Sequence, residues 1–388
     1  MVQDKLKSII SEKIEQTKTL FPKERLNRSK ERITAVWKGE KPGDRYPFTL
    51  YPLNFEYYNH VHTPEERLIL SLDEFLIHGR MQDDFIPSLF PGCLTATIPN
   101  MFGAEVIKSK TDYSCLPVIT ERDDILKLVE PDMGPSTLAR QWLNMQEYFL
   151  DATEGAFPVH VTDMQGPVDV CSKMWNYSDL FLCALDAPEL YHRLLSMVTE
   201  AIITFWKAQK ELLGENFLGT HLYGWNWVPE GIGITVSADS FVMVSPEFYK
   251  KFYSPYLKRL ADEFGGVAVH SCGNFPQIIP VLSEEPFLRG LNASQMTLPE
   301  MAAAGLGKTL TVTATVDYHD AAESFSASRS TGICADITIH GVWPELEGIT
   351  PEVPTYKGVV FKPSGEWTDD DWSTVMQKQE TLLETAQV

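Results

Sequence analysis

The sequence predicts an α/β protein, a (β/α)8 TIM barrel carrying an N-terminal helical extension. Three observations lead there. Short apolar runs alternate with helical stretches, metal-capable side chains stand at the end of one such run, and 388 residues is a length at which an α/β barrel can form one unit. Strands that alternate with helices pair in parallel, and the chemistry of such folds collects at the strands' carboxyl ends.

Residues 1–45 are expected to form the extension and residues 46–388 the barrel. Met1–Leu20 carries charges throughout, with Leu6, Ile9, Ile10 and Ile14 at helical spacing, which predicts an amphipathic helix and no signal peptide. The first strand is expected near Tyr46–Leu50. Further strands are predicted at Phe157–Thr162, Ile232–Val236, Leu288–Ala293, Leu310–Val316 and Val359–Phe361. Between Asp186 and Gly214 a helix is predicted, with Asp186 as its cap, Pro188 in its first turn and an apolar stripe from Leu190 to Trp206. Ser245-Pro246-Glu247 starts another: a serine cap, a proline at the first position, and an acid near the positive end of the dipole. Pro255 should kink or restart it. Gly265-Gly266 ends it, and the apolar Val267–Val269 follow at once.

Thirty-three basic against fifty-three acidic residues give a net charge of -20, which repels nucleic acid and anionic membranes alike. No apolar run reaches the length of a membrane span. Six scattered cysteines without an export signal predict reduced thiols in a cytoplasmic setting.

At the end of the Val267–Val269 run stands His270-Ser271-Cys272-Gly273-Asn274. Alternate side chains of a strand share a face, so His270 and Cys272 point together while Ser271 points away. Imidazole and thiolate are zinc donors, and an open zinc position can activate a bound water or thiol. The plainer alternative is a packed, hydrogen-bonded His and Cys, since a structural zinc site usually takes four ligands. His160 and Asp163 sit at another predicted strand end, with roles in catalysis or merely in a loop. Asp83-Asp84 is an adjacent pair whose carboxylates are expected to face solvent. The aromatic segment containing Tyr223, Trp225 and Trp227 could wall a substrate pocket or close the barrel mouth, and Asn274 is a further candidate substrate contact.

Arg32–Pro47 (RITAVWKGEKPGDRYP), Pro99–Val106 (PNMFGAEV), the Gln165–Val168 and Asp186–Leu190 segments, and Ser245–Tyr256 followed by HSCGN together resemble the uroporphyrinogen decarboxylase superfamily. That superfamily includes zinc-dependent, corrinoid-linked methyltransferases. The resemblance spans roughly residues 30–375. It implies a single barrel with its funnel at the strands' carboxyl ends. An Arg-rich motif that binds porphyrinogen carboxylates is missing before Tyr46, and the His-x-Cys pair is present, which points to the methyltransferase branch.

In that branch His-x-Cys is completed by a distant cysteine near the C-terminus. Here Lys362-Pro363-Ser364-Gly365-Glu366 stands in that place, and Ser364 is a poor zinc ligand. Cys334, the only cysteine after Cys272, is the candidate third ligand, with Glu366 or Asp239 as carboxylate substitutes. Asp239 falls where the superfamily has an acid at a strand end, as a base, as a partner of His270, or simply as a loop residue that caps or turns. The implied function is methyl transfer between a small methylated compound or thiol and a corrinoid carried by a partner protein. The rivals are a metal-free decarboxylase and a non-catalytic barrel that binds a ligand or a corrinoid protein.

Overall fold

The computed structural model describes residues 2–52, 63–92, 95–108, 113–220, 226–308, 310–345 and 364–388. The strands are β1 (Phe48–Leu50), β2 (Val106–Lys108), β3 (Tyr113–Cys115), β4 (Val159–His160), β5 (Phe217–Leu218), β6 (Ile234–Ser237), β7 (Val267–Ser271), β8 (Leu288–Ala293), β9 (Thr311–Asp317) and β10 (Ala335–His340). Six of them form one parallel sheet in the order β1-β10-β9-β8-β7-β6. A second, parallel pair joins β4 to β5, and β2 and β3 make a small antiparallel hairpin.

The expected eight-stranded ring is therefore present only in part as ladders. Among the described residues, single contacts continue the sheet: Asp84 N–H to the Phe48 carbonyl (2.8 Å), a bridge between Leu89 and Val159, and Thr235 N–H to the Gly219 carbonyl (3.0 Å). Prolines account for part of the interruption. Pro87 and Pro158 have no N–H to give to a ladder, so pairing around Leu89 and β4 is confined to isolated residues.

Predicted strands at Tyr46, Phe157, Ile232, Leu288 and Leu310 all fall on observed ones, with ends shifted by no more than two residues. Val359–Phe361 lies outside the described residues. β10 was not anticipated, because Asp336, Thr338 and His340 interrupt its apolar partners Ala335, Ile337 and Ile339. That alternation is the period of a strand with one apolar and one polar face. A helix Tyr177–Asp186 precedes the one expected between Asp186 and Gly214, which is observed as Pro188–Leu213 with Pro188 in its first turn. Asp186 ends the first, and Ala187 occupies the cap of the second. Pro255 restarts the helix begun at Pro246, giving Pro246–Phe252 and Ser254–Phe264.

The N-terminal extension is two helices, α1 (Val2–Leu20) and α2 (Lys23–Trp37). Its apolar residues share one continuous core with the sheet, in a cluster that runs from Ile10 to Ala386. α2 abuts the amino ends of β8 and β9. The Trp37 ring lies where a side chain on Gly290 would be, 2.6 Å from its Cβ position, and Thr311 Oγ1 donates to the Val36 carbonyl at 3.0 Å. Glycine is equally required at Gly233, whose φ is +86° and whose Cβ would stand 1.9 Å from the Gly266 carbonyl oxygen.

Asp83 and Asp84 are buried rather than solvent-facing. Each accepts from the backbone of β1: Asp84 Oδ2 from Phe48 N–H (3.1 Å) and Asp83 Oδ2 from Leu50 N–H (3.1 Å). Burying these carboxylates is tolerable because Arg32 Nη1 (2.9 Å) and Arg45 Nη1 (2.5 Å) reach Asp84, and His78 Nδ1 reaches Asp83 at 2.7 Å. The other ring nitrogen of His78 lies 3.0 Å from Glu74, so both face carboxylates. Burial alone would depress the imidazole pKa; Asp83 and Glu74 overcome it and raise the value to about 9.

A raised folded-state value sets the sign of the pH dependence. The stabilisation is complete below the unfolded value of about 6.5 and is lost as pH climbs through about 9. Melting temperature should therefore fall across that window in the wild type, and His78→Gln should flatten the slope. Equal slopes in thermal melts of the two proteins would contradict the assignment.

Candidate metal centre

β6, β7 and β8 lie side by side in parallel, with Ser237 opposite His270 and His270 opposite Asn292. Aligned carboxyl ends bring their side chains together. Asp239, two residues beyond β6, His270 near the end of β7, and Cys272 just past it each offer a ligand atom, all within 4.8 Å of one another. His270 Nε2 is 3.4 Å from Cys272 Sγ and 3.8 Å from Asp239 Oδ1. Asp239 Oδ1 also accepts the Cys272 N–H at 2.9 Å, tying the two loops to each other.

Hydrogen bonding fixes which nitrogen of His270 carries the proton. Asn292 Nδ2 donates to the Thr313 carbonyl (2.7 Å), which turns Asn292 Oδ1 toward His270 Nδ1 at 2.5 Å. Nδ1 is therefore the N–H, and the lone pair of Nε2 faces Cys272 and Asp239. A nitrogen, a sulfur and a carboxylate oxygen converging in this way form a donor set that suits zinc, and three protein ligands are what an open, reactive zinc position has.

Around the trio stand further polar groups. Asp163 is buried and accepts from Ser237 Oγ at 3.3 Å, and Gln165 Nε2 approaches Asp239 Oδ2 at 3.5 Å. Asp169, fully buried on the Pro167–Met174 helix, accepts from the Asp239 N–H and from both the N–H and the hydroxyl of Ser240. Burial, and then the nearby charge of Asp239, push its carboxyl well above the usual range.

Other predicted site residues fall elsewhere. Cys334 directly precedes β10, three strands from β7 and outside the cluster; burial raises its thiol pKa. A donor there cannot meet His270, and Asp239 takes the third place in the cluster. Glu366 lies in a one-turn helix before the C-terminal helix and is not part of the cluster either. His160 is buried in β4, where Nε2 contacts Ser88 Oγ and Nδ1 contacts the Thr220 carbonyl, both at 2.8 Å. Both ring nitrogens thus tie neighbouring segments together. Trp227 lies against α2, with Lys30 Nζ 5.2 Å from its ring centre. Asn274 is exposed, two residues past Cys272. Tyr223 and Trp225 lie outside the described residues.

Asn292, Asp169, Gln165 and Ser240 went unnoticed as site residues in the sequence. A signal existed for Asn292, the lone amide of the Leu288–Ala293 strand and its next-to-last residue. Its pairing with His270 depends on strand register, which one sequence does not reveal.

No protein-family model matches the chain, and no curated protein matches it in sequence. A solved structure, a methyltransferase from Methanosarcina mazei, aligns with a TM-score of 0.61, covering 91% of this chain and 98% of that chain at 16% identity. The likeness shows a shared fold over nearly the whole of both chains.

Burial, with the charges of Asp239 and Asp163, pushes the Cys272 thiol up to about 11 in the metal-free protein. Asp239→Asn removes the larger of those two charges but keeps an oxygen for the Cys272 N–H. Alkylation of Cys272 in metal-free protein, followed by peptide mass at a fixed, mildly alkaline pH, should therefore be faster in the variant. An unchanged or slower rate would show that Asp239 does not act on this thiol.

Proposed function

We propose that this chain is a zinc-dependent methyltransferase of the uroporphyrinogen decarboxylase superfamily, built on a (β/α)8-type barrel. It moves a methyl group between a small methylated compound or thiol and a corrinoid carried by a separate protein. The observation that carries the reading is the Asp239, His270 and Cys272 donor set at the carboxyl ends of β6 and β7. The fold, shared with a methyltransferase, supports it, as do the HSCGN motif and the segments around it.

His270 would bind through Nε2, Cys272 through Sγ and Asp239 through a carboxylate oxygen. Zinc held there supplies Lewis acidity that lowers the pKa of a thiol or other weak acid. The chain's own groups do the rest. Asn292 holds the His270 ring in the binding tautomer. Asp163, close enough for its charge to act on Cys272, is the acid placed to take the proton that an accepting thiol loses. Tyr223, Trp225 and Asn274 are proposed as substrate contacts.

Protein purified without chelator should contain stoichiometric zinc by elemental analysis, and His270→Ala and Cys272→Ala should each lose it. Zinc missing from the wild type, or retained by both variants, removes the proposal. Asn292→Leu keeps all three donors but deprives His270 Nδ1 of its acceptor; its zinc affinity should fall by about 10–100-fold in a competition titration. Wild-type affinity in that variant would show that the tautomer is fixed by something else.

A further inference from the structure

Asp239 leaves β6 on a single turn of 3-10 helix, Asp239–Met243, which has no side-chain cap of its own. Val242 and Met243 on that turn are exposed, so packing holds it weakly on their side. Gln277 Nε2 donates to its Phe241 carbonyl at 3.0 Å, and Asp169 holds it from within. One carboxylate oxygen accepts the Asp239 N–H, while the other accepts the Ser240 N–H at 3.2 Å and the Ser240 hydroxyl. The Tyr253 hydroxyl lies 2.5 Å from Ser240 Oγ, within hydrogen-bond distance. Asp169, Ser240 and Tyr253 are all buried, and Tyr253 sits at the junction of the Pro246–Phe252 and Ser254–Phe264 helices. The turn is thus anchored to two separate helical segments of the protein.

We infer that Asp169 is a positioning residue for the metal centre: it fixes the backbone of Asp239 and Ser240 so that the Asp239 carboxylate meets His270 and Cys272. The inference rests on the zinc reading above and extends it from the ligands to the group that orients one of them. Two backbone N–H groups pointing at a single carboxylate leave the turn little freedom to rotate. Without that acceptor the Asp239 side chain has the Cys272 N–H as its remaining short anchor, at 2.9 Å. His270 stays in place regardless, because strand pairing and Asn292 hold it, and Cys272 follows directly on the last paired residue of β7, Ser271.

Asp169→Asn tests this, since the amide keeps one oxygen and can accept only one of the two N–H groups, while its nitrogen cannot accept the other. Co(II) is the probe, because its thiolate charge-transfer band reports Cys272 and its visible bands report the rest of the ligand set. Asp169→Asn should bind Co(II) about 10–100-fold more weakly than wild type, keep the thiolate band, and show the visible spectrum of Asp239→Ala. In Asp169→Asn with Asp239→Ala, affinity should fall no further than in Asp239→Ala alone, because a residue that acts only through Asp239 has nothing left to position. Ser240→Ala, which removes one hydroxyl and no backbone contact, should shift affinity in the same direction by less, and serves if Asp169→Asn does not fold. Wild-type affinity in both Asp169→Asn and Ser240→Ala, or losses that add in full in the double variant, overturns the inference while leaving the metal centre standing. A wild type that binds no Co(II) overturns both.

Discussion

The structure depends on the parallel alignment of β6, β7 and β8. Parallel neighbours end at the same side of a sheet, so three short strands with unrelated sequences deliver their last residues to one place. No donor needs a long excursion to reach the others. Asp239 arrives from one strand, His270 and Cys272 from the next, and Asn292 supports them from the third. The amino ends of β8 and β9 are meanwhile covered by α2, whose Trp37 uses the space left by Gly290. One end of the sheet is thus packed shut and the other is left for chemistry.

Buried carboxylates do two different jobs in this fold. At β1, Asp83 and Asp84 take up strand N–H groups that no continuous ladder satisfies, and their charge is met by Arg32, Arg45 and His78. At the candidate metal centre, Asp169 likewise accepts backbone N–H groups, but its neighbour is another acid, Asp239. The first cluster is neutralised by bases already in the chain. The second sets Asp239 beside a thiol, and burial and then that charge raise the Cys272 pKa. A bound dication reverses the effect, since it favours the thiolate and offsets the carboxylates. An arrangement unfavourable to a free thiolate is therefore suited to a metal-bound one.

Much of this was legible in the sequence. The His270 and Cys272 pair was visible because a two-residue spacing on a strand has only one geometric meaning. The strand at Leu288 and the helix start at Ser245 were visible because their signals are local: an apolar run, a cap, a proline at the first position. What stayed hidden was relational. Asp83 and Asp84 look like a solvated pair until the arginines of the N-terminal region are seen to surround them. His160 reads as a candidate base until both its nitrogens are found bonded to neighbouring segments. β10 escaped because its polar face was read as loop.

Ser364 and Asp239 bear on the same question. A site completed from near the C-terminus would couple metal binding to the placement of a segment far away in sequence, and Ser364 is a poor donor for that role. A site completed by Asp239 draws its third ligand from the strand adjacent to β7, and its geometry is set by contacts within a few residues of the donors: Asn292 on His270, the Cys272 N–H on Asp239, Asp169 on the turn that carries Asp239. Preorganisation of this local kind lowers the cost of holding three ligands in one geometry. Such a site would let a chain keep the His-x-Cys motif without the distant cysteine, because the turn after the neighbouring strand offers a charged donor and the Pro167–Met174 helix offers a buried acid to hold it.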